Sequence, residues 1–250
     1  MSNDAHDGLM LSQARIEAMT AAGLWHERTV LDCLEDRLRE QPDKVFVTDH
    51  NAMTGRSTSL SFRNLNRVST RLAAGLSAHG ISAGDVVAMQ LPNWWEMLAL
   101  HIACMRIGAI TNPLMPIFRE RELEFMLSFA RTKAVVIPRQ FRDFEYEPML
   151  QSLRDSLPSL EHVFVVGGNG EAAFEARLLN QPWEDRVDTR ALFASARPSA
   201  NDVIEYCYTS GTSGRPKAVM HTSNTLFCCL GGALALDLDE RDVVLMGSPL

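Results

Sequence analysis

The amino-acid sequence predicts an α/β fold: parallel sheets flanked by helices. Two observations carry this expectation. Strand-like apolar runs alternate with amphipathic segments across residues 29–167, and strands of about six residues separated by helices favour parallel pairing with both sheet faces covered. The chain also has material for a real core, because 250 residues at 46% apolar and 22% charged content match an ordinary globular composition.

Element by element, Thr29 is placed to cap a helix whose apolar face is Val30, Leu31, Leu34 and Leu38 and which ends before Pro42. The runs Val45–Asp49 and Ser57–Leu60, joined through Asn51 and Gly55, read as a hairpin. Ser61 starts the next helix, with Phe62, Leu65, Val68, Leu72 and Leu76 on one face and Gly80 at its left-handed end. Val86–Leu91 is a strand broken by Pro92–Asn93, Trp94–Ile107 a helix stopped at Gly108, and Ala109–Thr111 a short strand before the loop Asn112–Pro116. Glu120–Ala130 is a helix with Leu123, Met126 and Leu127 inward, followed by strand Ala134–Ile137, helix Pro148–Leu157 and strand His162–Val166.

Residues 167–200 open on Gly167, Gly168, Asn169 and Gly170 and show weak periodicity, which reads as a connection into a second sheet. Strand-like Val203–Tyr208 and Ala218–Met220 flank a polar loop; a helix then runs from Thr222–Asn224 to about Leu236, and Asp242–Met246 is a last strand. The stretch Gly247–Leu250 reads as the exit of a strand with its sheet still under construction. An open edge leaves backbone groups unpaired, so truncation is expected.

Charge and cysteine use narrow the function classes. The net charge of −7 is spread along the chain, and no basic cluster marks a nucleic-acid surface. Five cysteines without regular spacing (Cys33, Cys104, Cys207, Cys228, Cys229) read as reduced thiols, with no zinc pattern among them. The N-terminus carries acids where a signal peptide carries bases. The most apolar stretch, Leu226 to Leu238, falls short of the roughly 20 residues that a membrane span needs. A cytoplasmic protein without a transmembrane segment is the expectation.

The chemistry is concentrated between Tyr208 and Lys217. Besides Tyr208, this decapeptide holds the hydroxyls of Thr209, Ser210, Thr212 and Ser213, two glycines (Gly211, Gly214) and two cations (Arg215, Lys217). Glycines let successive N–H groups converge on an anion, hydroxyls add short donors, and Lys217 adds a full charge. The flanking apolar strands favour an ordered polyphosphate cradle over a solvated Ser/Gly loop. It is not a P-loop, since Pro216 precedes Lys217 and Ala218 follows it, and no GxGxxG fingerprint is present.

This stretch, YTSGTSGRPKAVMH, resembles the signature loop of the adenylate-forming (AMP-binding) enzymes, Y-T-S-G-T-[ST]-G-x-P-K-G-V, with Ala218 in place of the usual Gly. Leu60–Leu65 is similar to a further segment of the family, and Leu91-Pro92-Asn93, Arg106–Ala109 and Asn112–Leu123 are similar to its acyl-CoA synthetase branch. The last resembles ligases for medium-chain or alicyclic acids such as cyclohexanecarboxylate. The resemblance implies a cradle of Thr209, Ser210, Gly211, Thr212, Ser213, Gly214 and Lys217 for the β- and γ-phosphates of ATP. Thr212 would stand near Mg²⁺ through Mg-ATP, His221 and Phe227 near the acid substrate, and CoA would be the co-substrate. It implies ATP-dependent conversion of a fatty or alicyclic carboxylic acid to acyl-adenylate and acyl-CoA, with small-molecule partners.

By the same resemblance, residues 1–28 are an N-terminal extension, 29–200 a first α/β subdomain, and 201–250 the start of a second in an incomplete N-terminal large domain. The C-terminal domain is absent, no catalytic residue is assigned, and the 250-residue chain is expected to be inactive alone. A missing C-terminal half or a homo-oligomer stays open. So do two other readings: an adenylation enzyme that loads a carrier protein, and a non-catalytic nucleotide-binding fragment or split subunit. A hydrogen-bonded structural role competes with the substrate role of His221. Trp94–Trp95 is expected to pack, Cys228–Cys229 to be inert core, and Arg119–Glu124 to be a solvated helix start.

Overall fold

The computed structural model describes residues 12–209, 216–230 and 237–247. Helix α1 (Gln13–Ala21) buries nothing and leads to Trp25, which is buried. Thr29 caps α2 (Val30–Glu40): its hydroxyl accepts from Asp32 N–H, and the Asp32 carboxylate accepts from Thr29 N–H at 2.7 Å. Strands β1 (Val45–Asn51) and β2 (Arg56–Ser61) form the expected antiparallel hairpin. Ser61 caps α3 (Phe62–Ala78), and Gly80 follows at φ +81°, a left-handed conformation that a side chain would strain.

The alternating unit follows. It runs β3 (Val86–Met89), α4 (Trp95–Arg106), β4 (Ile110–Pro113), α5 (Glu120–Phe129) and β5 (Ala134–Pro138). A small ribbon of β6 (Gln140–Phe141) and β7 (Phe144–Glu145) precedes α6 (Tyr146–Ser152) and β8 (His162–Val166). After α7 (Thr189–Ala196) come β9 (Val203–Thr209), β10 (Lys217–Thr222) and α8 (Ser223–Cys229).

Six of these strands make one sheet in the order β10-β9-β4-β3-β5-β8, parallel except for β10, which pairs antiparallel with β9. Each strand feeds both faces. Val87, Met89, Ala134, Val136 and Phe164 meet α3 and α4 on one side; Ala88, Val135, Ile137 and Val165 meet α5 and α6 on the other. The chain steps from β3 to β4, then doubles back past β3 to β5. Right-handed crossovers in opposite directions put their helices on opposite faces, which is why α4 and α5 face each other across the sheet.

The mostly parallel sheet with helices on both faces is thus as expected, with an antiparallel edge strand added. Several elements differ. Strand β4 takes in Asn112 and Pro113, expected as loop, because β3 runs on beside them (Ala88 opposite Asn112, Met89 opposite Pro113). The helix expected at Pro148–Leu157 starts at Tyr146 and breaks after Ser152 into a short 3-10 turn. Residues 167–200 do not lead into a second sheet, because β9 joins β4 in the sheet already described, and they are more than a connection: Phe174 and Leu178 are fully buried in the α3 side of the core, and Trp183 packs on Gly75. Their apolar residues sit on short turns, which leave no helical or strand period to read.

Asp242–Met246 is not a strand. Val243 and Leu245 are 96% and 91% exposed, and among the described residues no strand lies beside them to satisfy their backbone groups. Cys228 and Cys229 are exposed rather than core, since no described residue covers that face of α8. The helix expected to reach Leu236 is seen to Cys229, and residues 231–236 lie outside the described residues. The packing expectation holds for Trp94, which is buried edge-on to Phe141. All five cysteines are unpaired.

Candidate functional site

The polar loop closes the β9–β10 hairpin. The pairing register sets Lys217 opposite Thr209, Ala218 opposite Tyr208 and Val219 opposite Cys207, so Thr209 and Lys217 face each other across the mouth of the loop. Both are exposed. Ser210, Gly211, Thr212, Ser213 and Gly214 lie outside the described residues.

Because β9 runs parallel to β4, its loop leaves the carboxyl edge of the sheet. That edge also carries a cleft of about 650 Å³, lined by Pro92 and Asn93 after β3, Pro116, Ile117 and Arg119 after β4, Phe141 to Phe144 and Tyr146 after β5, and Met246 and Gly247. Crossovers from neighbouring strands β3 and β5 pass to opposite faces here. A crevice outside the carboxyl ends at such a switch point is where open α/β sheets bind ligands.

The wall of the cleft is built from side chains that grip the backbone. Buried Gln90 donates through Nε2 to the carbonyls of Met115 (3.2 Å) and Phe118 (3.0 Å). The Tyr146 hydroxyl donates to Pro116 O at 2.8 Å. Arg119 Nη1 donates to the carbonyls of Pro116 (2.7 Å) and Phe118 (2.8 Å), and its guanidinium lies 3.9 Å from the Phe144 ring centroid. Arg119 is therefore not the solvated charge expected at this helix start, whereas Glu120, Arg121 and Glu124 of the same run are exposed as expected.

On the α5 side, Tyr208 anchors the strand that leads into the loop. Its hydroxyl donates to Met126 O of α5 at 3.0 Å, and burial pushes the phenol up to about 12. The β10 end is held differently. Thr222 caps α8 in a reciprocal box with Thr225, and His221 Nδ1 lies 3.3 Å from Thr225 Oγ1. Buried Asn224 accepts from His26 N–H (2.8 Å) and donates to His26 O and Asn201 Oδ1 (2.9 Å each), clasping the N-terminal segment to the hairpin. Phe227 is half-buried one turn along α8.

Of the residues expected at the site, Thr209 and Lys217 are brought together at the loop mouth. His221 sits four residues down β10 from Lys217, held to α8 as a structural histidine would be. Motif reading passed over Gln90, Arg119 and Tyr146. Only Arg119 gave a signal, as a cation at a helix start after a proline loop.

The chain can be compared with known proteins on this basis. The model of the AMP-binding enzyme family matches residues 34–250, which includes the whole hairpin and the cleft. The chain belongs to the AMP-binding enzyme family. The medium-chain fatty-acid–CoA ligase of Escherichia coli is 30% identical over 243 residues, 97% of this chain and 41% of that protein. The salicyl-AMP ligase / salicyl-S-ArCP synthetase of Mycobacterium tuberculosis is 30% identical over 233 residues, 93% of this chain and 40% of that protein. The apo structure of Mycobacterium smegmatis MbtA superposes with a TM-score of 0.66 at 25% identity, over 86% of this chain and 37% of that one.

The chain spans about two fifths of the length of these AMP-binding relatives. Among the described residues, no helix is long and apolar enough to cross a membrane, and no group of three or more His, Cys, Asp or Glu is placed to hold a metal ion.

Proposed function

We propose that the protein carrying this chain activates a carboxylic acid with ATP, first as an acyl-adenylate and then as an acyl-CoA thioester. The observation that supports this best is the signature loop at Tyr208–Lys217, closing a hairpin at the carboxyl edge of a parallel sheet beside a ligand-sized cleft.

A carboxylate is a poor electrophile, and its attack on the α-phosphate of ATP with departure of pyrophosphate gives a mixed anhydride that a thiol can capture. The barrier lies in the charge on the departing pyrophosphate, which fixed donors and cations stabilise. Thr209 and Lys217 at the mouth, with Ser210, Gly211, Thr212, Ser213 and Gly214 between them, are proposed to hold the β- and γ-phosphates. Lys217 is exposed and opposite the Thr209 hydroxyl, as a cradle for an incoming polyanion requires. Mg²⁺ would neutralise phosphate charge and polarise the reacting phosphoryl group; we place it on the nucleotide, near Thr212. His221 and Phe227 are proposed to lie toward the acid.

In the cleft, Ile117, Phe141 and Phe144 offer apolar contact beside Arg119 and Arg142. That lining suits the organic and anionic parts of a small-molecule substrate, and the proposed setting is the cytoplasm. CoA is the proposed acceptor. A carrier-protein thiol is the second reading, favoured by likeness to a relative named salicyl-S-ArCP synthetase.

ATP–pyrophosphate exchange with a panel of medium-chain, alicyclic and aromatic acids tests the first half-reaction in the whole protein, and thioester formation with CoA or a carrier protein tests the second. Acid-dependent exchange is expected. Nucleotide binding with no exchange for any acid would overturn the ligase reading in favour of a non-catalytic nucleotide binder. The 250-residue chain by itself is expected not to exchange.

A further inference from the structure

A second cleft, of about 500 Å³, opens at the same carboxyl edge, between the β1–β2 hairpin and the segments that follow β3, β5 and β8. It shares no lining residue with the first. Trp94 lines the second and Phe141 the first, and the two rings meet edge-on. The proposed reaction makes no use of this second cleft, and its size is that of a small-molecule site.

Carboxyls with too few partners gather in it. Asp49 on β1 is 6% exposed, and its one hydrogen bond among the described residues runs from Trp95 N–H to Oδ2 at 3.4 Å, which leaves Oδ1 unpartnered. Glu96, in the first turn of α4, has Oε2 buried with no hydrogen-bond partner. Glu175 accepts from Gly167 N–H at 2.9 Å. Buried carboxylate oxygens without donors are costly, and a native fold keeps them where something else supplies the donors.

The chemistry of the donor is narrowed by what surrounds it. Arg56 and Arg139 line the cleft but are exposed at its rim, and among the described residues neither pairs with a carboxylate. The three acids are not placed to share a metal ion, although Asp49 and Glu175 both act on the charge of Glu96. Acceptors spread in this way suit a wider cation with several N–H donors, a guanidinium above all. The Trp95 indole adds aromatic surface beside it.

We propose that this second cleft binds a small guanidinium-headed acid, its cationic head between Asp49 and Glu96 and its carboxylate at Arg56 and Arg139. Deep acids and rim cations sort the cleft by charge, so the ligand carries both signs in that order. Burial first, and then Asp49 and Glu175, raise the Glu96 carboxyl to about 7. A bound guanidinium favours its ionised form, so binding releases a proton near pH 7 and tightens as pH rises through that value. The charged groups lining the cleft with Glu96 are Asp49, Glu175, Arg56 and Arg139, and His50 acts on Asp49.

The test is calorimetric titration of the 250-residue chain with 4-guanidinobutyrate, and with butylguanidine, which lacks the carboxylate. Saturable binding of 4-guanidinobutyrate is expected, with a heat near pH 7 that depends on the ionisation enthalpy of the buffer, the mark of proton release. Glu96→Gln keeps the shape and removes the charge; it should bind about tenfold more weakly and release no proton. Arg139→Gln should weaken 4-guanidinobutyrate about threefold and leave butylguanidine unchanged. No saturable binding, or binding that Glu96→Gln leaves as tight, would overturn the proposal, and equal losses for both probes in Arg139→Gln would overturn the place given to the carboxylate. If Glu96→Gln fails to fold, the wild type alone decides: binding without proton release would overturn the site.

Discussion

Replacing Tyr208 by phenylalanine separates the loop's anchor from the loop itself. The change keeps the ring in its buried site and deletes one hydrogen bond, from the hydroxyl to Met126 O at 3.0 Å. That carbonyl also accepts from Ala130 N–H at 3.1 Å, so no buried acceptor is orphaned. The expected loss is then the net worth of one hydrogen bond, about 1 kcal/mol, read as a Tm lower by about 2–4 °C for a chain of this size. Because burial holds the phenol up at about 12, the wild type stays protonated and the difference should be constant between about pH 6 and 9. The structural consequence should be local, with faster amide exchange in β9 and β10 and Mg-ATP affinity down by at most about fivefold, the equivalent of 1 kcal/mol. Urea unfolding, hydrogen exchange and calorimetry together give these numbers. A loss above about 3 kcal/mol, beyond what one hydrogen bond supplies, or exchange that quickens everywhere except in the hairpin, would refute the anchoring role.

Two further substitutions probe the frame. Burial raises the Glu96 carboxyl from 4.5 to about 7. A raised acid is destabilising once ionised, so stability should fall as pH rises from the unfolded value near 4.5 through about 7. Glu96→Gln should flatten that slope and be more stable than the wild type at pH 8 by on the order of 2–3 kcal/mol, measured by urea unfolding across pH; an unchanged slope would show that Glu96 is solvated. Asn224→Ala removes the three hydrogen bonds that a buried side chain makes to His26 and Asn201, and should cost about 3 kcal/mol, about 1 kcal/mol per bond. Limited proteolysis should then cut the N-terminal segment ahead of the core, and equal resistance would count against the clasp.

Much of this molecule was legible wherever a local physical rule decides the outcome. The caps at Thr29 and Ser61 and the left-handed Gly80 are local hydrogen-bond and steric matters, and each stands where its residue type demands. The β3-to-β8 alternation was legible too, because a strand buried on both faces must be apolar throughout. What stayed hidden depends on partners distant in the chain. Asp242–Met246 has the composition of a strand, yet pairing is a property of two segments, and none of the described residues offers the second. Phe174 and Leu178 lie on turns without a period, so their place in the core could not be read. Arg119 looked like one charge in a run, and only the fold turns it onto the Phe144 ring. The loop motif named the family from the residues alone. Its setting on the carboxyl edge, beside the switch-point cleft, came from the parallel pairing of β9 with β4, which no motif encodes.

The cradle at Thr209–Lys217 is tested most directly by titrating the chain with Mg-ATP in a calorimeter, alongside Lys217→Ala. Lys217 is exposed, so the substitution should leave stability within about 0.5 kcal/mol of the wild type. Saturable binding, weakened about tenfold by the lost cation and less so at high salt, is the result expected if this loop holds the phosphates. Binding that ignores Lys217, or no saturable binding, would contradict it.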